Sequence, residues 1–209
     1  MRPFTHWTPR YVVDRTKVFL DQHREPEDPW LTRQAIDIIE PLLRAGDDAL
    51  EFGSGRSTLW LARHVRHLTS IEHDSHWHAT IKEKLLAANI VNVELLLRPK
   101  DVAEADGENS AYVKVLDRIG TASIDFALVD GMYRNFCALG VIPKLRAGAL
   151  LVVDNVNWFL PSKTVSPASR SLEQGAEDEI WCEFLEATAD WRRIWTSNGV
   201  FDTLILFKA

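Results

Sequence analysis

Residues Ala49–Ala62 read ALEFGSGRSTLWLA. Four mostly apolar residues run into Gly53-Ser54-Gly55, and apolar residues at helical spacing follow. Strand, glycine turn and helix in that order are the ligand-holding junction of a parallel α/β sheet. The dinucleotide fingerprint Gly-x-Gly-x-x-Gly would put a third glycine where Thr58 stands, and a threonine there crowds the close approach of helix to strand. An acid, Glu51, lies two residues before the first glycine.

Outward from this turn the pattern is periodic. Before it, Leu31, Ala35, Ile38, Ile39 and Leu42 predict a helix, kinked or split by Pro41 and ended by Gly46. After Asp48, strands and helices alternate. Strands are expected over 48–52, 68–74, 91–98, 123–131 and 149–156. The helices between them carry Leu61, Ala62, Val65 and Leu68 on one face, then Ile81, Leu85 and Ala88 behind an Asp74 or Ser75 cap. A shorter helix is expected near 112–119, and another reaches Leu145. The fourth and fifth strands are nearly all apolar, as parallel strands covered on both faces must be. A helix around 177–189 and a hairpin turning at Asn198-Gly199 close the chain. The expectation is an α/β fold: a doubly wound, mostly parallel seven-stranded sheet with a C-terminal antiparallel hairpin. Residues 1–30, rich in proline, aromatic and charged residues without a clear period, read as an extended arm or cap on a 31–209 domain.

Composition narrows the function classes. The 209 residues are 46% hydrophobic and 26% charged, a globular balance for one domain. No apolar run reaches the ~18–20 residues of a membrane span, and the N-terminus lacks the apolar core of a signal peptide. A cytoplasmic protein without a membrane partner is expected. Net charge is -6 with no basic block, which argues against nucleic acid as partner. Cys137 and Cys182, in apolar contexts without metal spacing, read as small core residues. Eight tryptophans, several outside the expected core strands, suggest aromatic surface around a ligand.

In open parallel sheets the ligand lies beyond the carboxyl ends of the strands. Those ends carry Glu51 with Gly53-Ser54-Gly55, Glu72-His73-Asp74, the 98–101 stretch ending in Asp101, Asp130-Gly131, and Asp154-Asn155. Acids that repeatedly finish buried apolar strands would be costly without a compensating ligand. Glu72, about 20 residues beyond the turn, is placed to accept hydrogen bonds from a ribose, for a methyl donor or for NAD alike.

The turn with its preceding acid resembles the first motif of class I S-adenosylmethionine-dependent methyltransferases, a resemblance spanning residues 31–208. It implies S-adenosylmethionine as cofactor. Glu51, Gly53, Ser54, Gly55 and Ser57 would lie along its methionine and ribose portion, with Glu72 on the ribose hydroxyls. His73 and Trp77 would lie beside the adenine, Asp101 near its amino group, and Asp130 at the pocket edge. "LVDGMYRN" and "LVVDNV" are similar to the fourth- and fifth-strand motifs of small-molecule O-methyltransferases of the catechol and caffeoyl-CoA type and of related small bacterial methyltransferases. There two aspartates and an asparagine bind a divalent cation that holds the acceptor's hydroxyls. Carried over, the metal ligands are Asp130, Asp154 and Asn155, hard oxygens suited to Mg²⁺. The lysine that serves as base three residues after the first aspartate is here Tyr133, followed by Arg134. A neutral phenol cannot replace it, so that role does not transfer, and Asp130, Asp154 and Tyr133 stand as the catalytic candidates.

The expected function is therefore O-methylation of a small-molecule acceptor; the proteins it resembles are often dimers, which makes a homodimer one option and leaves the oligomeric state open. An NAD-dependent oxidoreductase and a donor-binding protein without turnover are the alternatives. Trp158, Phe159 and Lys163, with His6, Trp7 and Tyr11 from the arm, could wall a planar or sugar-like acceptor or simply pack the arm down. Asn198 could face that acceptor. His64, His67, His73, His76 and His78 crowd one region, but no cysteine joins them to make a zinc site.

Overall fold

The structure, a computed structural model, describes residues 8–209. Its centre is one seven-stranded sheet made of β1 (Asp48–Phe52), β2 (His67–Glu72), β3 (Val93–Leu97), β4 (Ile124–Val129), β5 (Leu145–Asp154), β6 (Arg192–Ser197) and β7 (Asp202–Phe207). Their order is β3-β2-β1-β4-β5-β7-β6. The first five are parallel, while β7 runs antiparallel to both β5 and β6. The doubly wound sheet with a terminal hairpin is thus the one expected. Strand order reverses between β1 and β4, so the crevice opens where Phe52 and Val129 end.

Helices cover both faces. On one, α2 (Arg33–Ile39) and α3 (Arg56–Ala62) bury Ala35, Ile36, Ile39, Trp60 and Leu61 against Leu68, Phe126 and Val152. On the other, α5 (Arg134–Val141) and α6 (Glu179–Ala187) bury Cys137, Val141, Trp181 and Phe184 against Ala127, Val129 and Leu151. The α4 helix (Ser75–Ala87) is capped by Asp74, whose carboxylate accepts from Trp77 N.

Several expectations are corrected. Residues Pro9–Arg24 form a helix, α1, where an extended arm was expected. Thr8 caps it and Pro9 opens it. Its period was hidden because only Val18 turns fully inward, while Val12, Val13, Phe19 and Leu20 remain exposed. The α3 helix ends at Ala62, so Val65 lies beyond it and Leu68 belongs to β2 and not to the helix. The helix expected near 112–119 is a 3₁₀ helix over Val113–Arg118, whereas Pro41 splits α2 from a 3₁₀ turn over Glu40–Leu42 as expected. Cys137 is buried as expected, but Cys182 is exposed on α6. Among the described residues, no helix is long and apolar enough to cross a membrane.

Candidate active site

Two backbone turns meet where β1 and β4 end. Gly53 N donates to the Ile71 carbonyl and Asp130 N to the Phe52 carbonyl, fastening the turns after β1 and β4 to the sheet. Gly53 has φ +97°, and a Cβ there would stand 2.8 Å from the Asp130 carbonyl oxygen. Glycine is required on both counts: the left-handed backbone and the close approach.

Beneath this junction lies Glu51, fully buried. Its Oε2 accepts from Thr58 Oγ1 and Ser70 Oγ, both at 2.6 Å, whereas Oε1 is buried without a partner. Burial raises its pKa to about 7, opposed by the neighbouring hydroxyls of Ser57, Ser70 and Thr58 and reinforced by the Asp130 charge. Thr58 is more than an obstruction in a glycine's place. Its hydroxyl accepts from Gly55 N at 2.9 Å while donating to Glu51, so it clips the turn to the strand. Thr58→Gly would restore the dinucleotide spacing, yet it is expected to destabilise the chain by about 2 kcal/mol in urea unfolding.

Glu72 is also buried and fully engaged. Oε2 accepts from Ser54 N (3.0 Å) and Ser54 Oγ (2.7 Å), and Oε1 from the backbone N–H groups of His73 and Asp74 (both 2.8 Å). Four donors fill a carboxylate's acceptor sites. Only the Ser54 hydroxyl can rotate away without moving the backbone. Trp77 closes the same corner, its indole Nε1 donating to the Ser54 carbonyl at 2.7 Å. The His73 ring meets the Tyr112 ring edge-on. Asp101 stands apart: its carboxylate accepts from Ala111 N and closes its own loop.

The acceptor-side candidates come together, but around a guanidinium. Arg134 Nη2 donates to the carbonyl and Oδ1 of Asp130 (3.0 and 2.7 Å), Nη1 to the Asp154 carbonyl (3.0 Å) and Asn155 Oδ1 (3.1 Å), and Nε to the Gly131 carbonyl (3.0 Å). Asp154 is buried and locked, accepting from Thr203 Oγ1 (2.6 Å) and Asn155 Nδ2 (2.8 Å). Burial and the Asp130 charge push its pKa well up. The Asp130 side chain keeps 30% exposure. Burial raises its pKa too, against the opposing charge of Arg134. Tyr133 is not placed for catalysis: it is 1% exposed, and its hydroxyl donates to the Val102 carbonyl at 2.8 Å.

The set Asp130, Asp154 and Asn155 does not fit a divalent cation as arranged, because Arg134 holds Asp130 Oδ1 and Asn155 Oδ1, and both Asp154 carboxylate oxygens accept from Thr203 and Asn155. Among the described residues, no three His, Cys, Asp or Glu side chains are grouped to hold a metal. The crowded histidines disperse, with His64 Nδ1 on the Trp60 carbonyl and His73 Nδ1 2.9 Å from Glu72 Oε1.

The expected aromatic wall divides between two cavities. Trp158 and Phe159 line one of about 350 Å³ beside Tyr133, Arg134 and Trp181. Lys163 and Asn198 line a larger cleft of about 700 Å³ under α1 and the β6–β7 turn. Asn198 Oδ1 is spent within that turn, accepting from Val200 N and Phe201 N. His6 and Trp7 lie outside the described residues. Sequence reasoning missed Arg134 and the clip role of Thr58. The i,i+4 spacing of Asp130 and Arg134 was the available signal for the first.

No family model matches the chain, and no curated protein matches it. Solved structures do. A candidate methyltransferase from Streptococcus mutans, in complex with SAH, superposes with TM-score 0.58 at 12% identity, over 84% of this chain and 96% of that one. A candidate caffeoyl-CoA O-methyltransferase from Staphylococcus aureus gives 0.58 at 15%, over 98% and 94%. An rRNA methylase from Streptococcus thermophilus gives 0.55 at 12%, over 84% and 94%. Likeness at these identities establishes the architecture, the Rossmann-like fold shared with these proteins.

Proposed function

We propose that the chain is an S-adenosylmethionine-dependent methyltransferase acting on oxygen of a small-molecule acceptor. The observation that carries this reading is the Thr58 clip. A dinucleotide's pyrophosphate would need the amides that open α3, but Gly55 N already donates to Thr58 Oγ1 and α3 is only seven residues long. What the turn leaves available is different: a buried carboxylate oxygen without a partner, Glu51 Oε1, beneath backbone that comes unusually close to β4. That suits a ligand bearing an ammonium rather than a phosphate.

In this reading the Gly53–Gly55 backbone and Glu51 hold the donor's methionine portion. Glu72 accepts from the ribose as the Ser54 hydroxyl turns away, and His73 and Trp77 flank the adenine. Bound S-adenosylmethionine supplies an electrophilic methyl group on a sulfonium. The chain's part is to orient both partners and take the acceptor's proton. Asp130 is assigned that proton: its Oδ1 faces Arg134, while its Oδ2 has no hydrogen bond among the described residues, and Asp154 and Tyr133 are locked elsewhere. The acidic net charge and the aromatic cavity beside Arg134 support a small acceptor rather than a nucleic-acid one.

Calorimetric titration of S-adenosylhomocysteine and, separately, NADH tests this reading. Saturable heat with the first alone is expected. In Glu72→Gln, affinity should fall by about tenfold or more, since one oxygen becomes a donor facing N–H groups. NADH binding without S-adenosylhomocysteine binding would overturn the assignment.

A further inference from the structure

We infer that Arg134 is the resident cation of the acceptor end, occupying the place a divalent metal would take, so that this chain binds no metal there and does not select its acceptor by chelation. The inference deepens the methyltransferase reading but is tested without any donor.

A guanidinium has five N–H donors. In Arg134 all of them are used, on the Gly131 carbonyl, the carbonyl and Oδ1 of Asp130, the Asp154 carbonyl and Asn155 Oδ1. These five oxygens belong to the turns after β4 and β5, the two turns that would supply the metal's ligands. The cation therefore does structurally what a metal ion would do: it draws hard oxygens from two strand ends onto one positive centre. Its side chain is 13% exposed, and its Cζ lies over the rings of Trp158 and Phe159, 5.9 and 5.7 Å from their centroids. Two backbone positions next to it are left-handed, Tyr133 at φ 49° and Asn155 at φ 52°. Non-glycine residues adopt that conformation at a cost, and bonds from the arginine to the neighbouring carbonyls help impose it.

Two consequences follow. An ion that took Asp130 Oδ1 and Asn155 Oδ1 together would have to displace Arg134 from between them, leaving a largely buried guanidinium without those partners. And since every donor is occupied, Arg134 has none left for an acceptor oxygen. It is a positioning residue. A vicinal diol gains nothing here from having two adjacent hydroxyls, so acceptors with a single reactive hydroxyl serve as well.

The test is a titration of Mn²⁺ followed by the electron paramagnetic resonance signal of the free ion, together with thermal melts. Wild-type protein should bind no Mn²⁺ at submillimolar concentrations, with a Tm unmoved by EDTA. Arg134→Ala should melt roughly 5 °C lower or more. Millimolar guanidinium or Mn²⁺ should restore part of that loss, a rescue that mere loss of packing would not show. If Arg134→Ala does not fold, Arg134→Lys keeps the charge without the fork and should itself melt several degrees lower. One Mn²⁺ per wild-type chain, lost in Asp154→Asn, overturns the inference. So does an Arg134→Ala protein that melts like wild type, or one that folds and responds to neither cation, or an Arg134→Lys protein that melts like wild type.

Discussion

Gly131→Ala is expected to cost more than about 3 kcal/mol of stability in urea unfolding, and to remove donor binding with it. The added Cβ would stand 1.9 Å from Tyr112 Oη, 2.8 Å from Gly53 N and 2.9 Å from the Phe52 carbonyl carbon. None of these has room to retreat. Tyr112 is fully buried among Phe52, Tyr133 and His73, and its hydroxyl reaches the Ile71 carbonyl. The Phe52 backbone is bonded to Asp130 N, one residue from the substitution. Any shift that relieves the methyl therefore separates β1 from β4 at the very place where the glycine turn is formed. Gly148→Ala is the control. Its φ of +79° is strained for alanine, but no atom lies within 4 Å of the added Cβ, so a loss of about 1 kcal/mol is expected. Adding Tyr112→Phe to Gly131→Ala removes the shortest of the three contacts and should recover part of the loss. Equal costs for the two glycine substitutions would mean that the close approach at Gly131 does not constrain the site.

The pairing of Gly53 with Gly131 explains why the sequence disclosed some parts of the site and concealed others. Strand ends were legible because apolar runs stop at acids: Glu51, Glu72, Asp130 and Asp154 all fall where the strand pattern placed them. The alternation of strand and helix also gave the sheet and its terminal hairpin. What stayed hidden depends on direction in space. Thr58 looked like a steric obstacle because the fingerprint rule counts only its size, whereas its hydroxyl sits between Gly55 N and Glu51. Arg134 looked like a bystander next to Tyr133, which stands where the lysine would be. Only the facing turns after β4 and β5 show that its guanidinium lies among the residues nominated for a metal. The α1 helix was obscured for a third reason, since its apolar residues face outward and its inward face carries little hydrophobic signal.

The buried Glu51 should make both stability and donor binding depend on pH, with a definite sign. In the folded chain its carboxyl holds a proton up to about pH 7, while in the unfolded chain it releases it near the ordinary 4.5. Folding therefore takes up a proton between those values. The stabilisation is complete below pH 4.5 and is lost as pH rises through about 7, by about 3 kcal/mol in total. Glu51→Gln carries no proton to lose, so the difference in unfolding free energy between wild type and this variant should shift by that amount across the window, in favour of the variant at the higher pH. A donor whose ammonium reaches Oε1 adds a second, opposite effect, because it favours the ionised form. Binding of S-adenosylhomocysteine near pH 6 should then release a proton, seen as a heat that varies with the ionisation enthalpy of the buffer, and the release should vanish in Glu51→Gln. Parallel stability curves for the two proteins between pH 4.5 and 7.5 would show that Glu51 is ionised throughout. A shifted stability curve with buffer-independent binding heat would instead keep Glu51 protonated in the folded chain and move the donor's ammonium away from it.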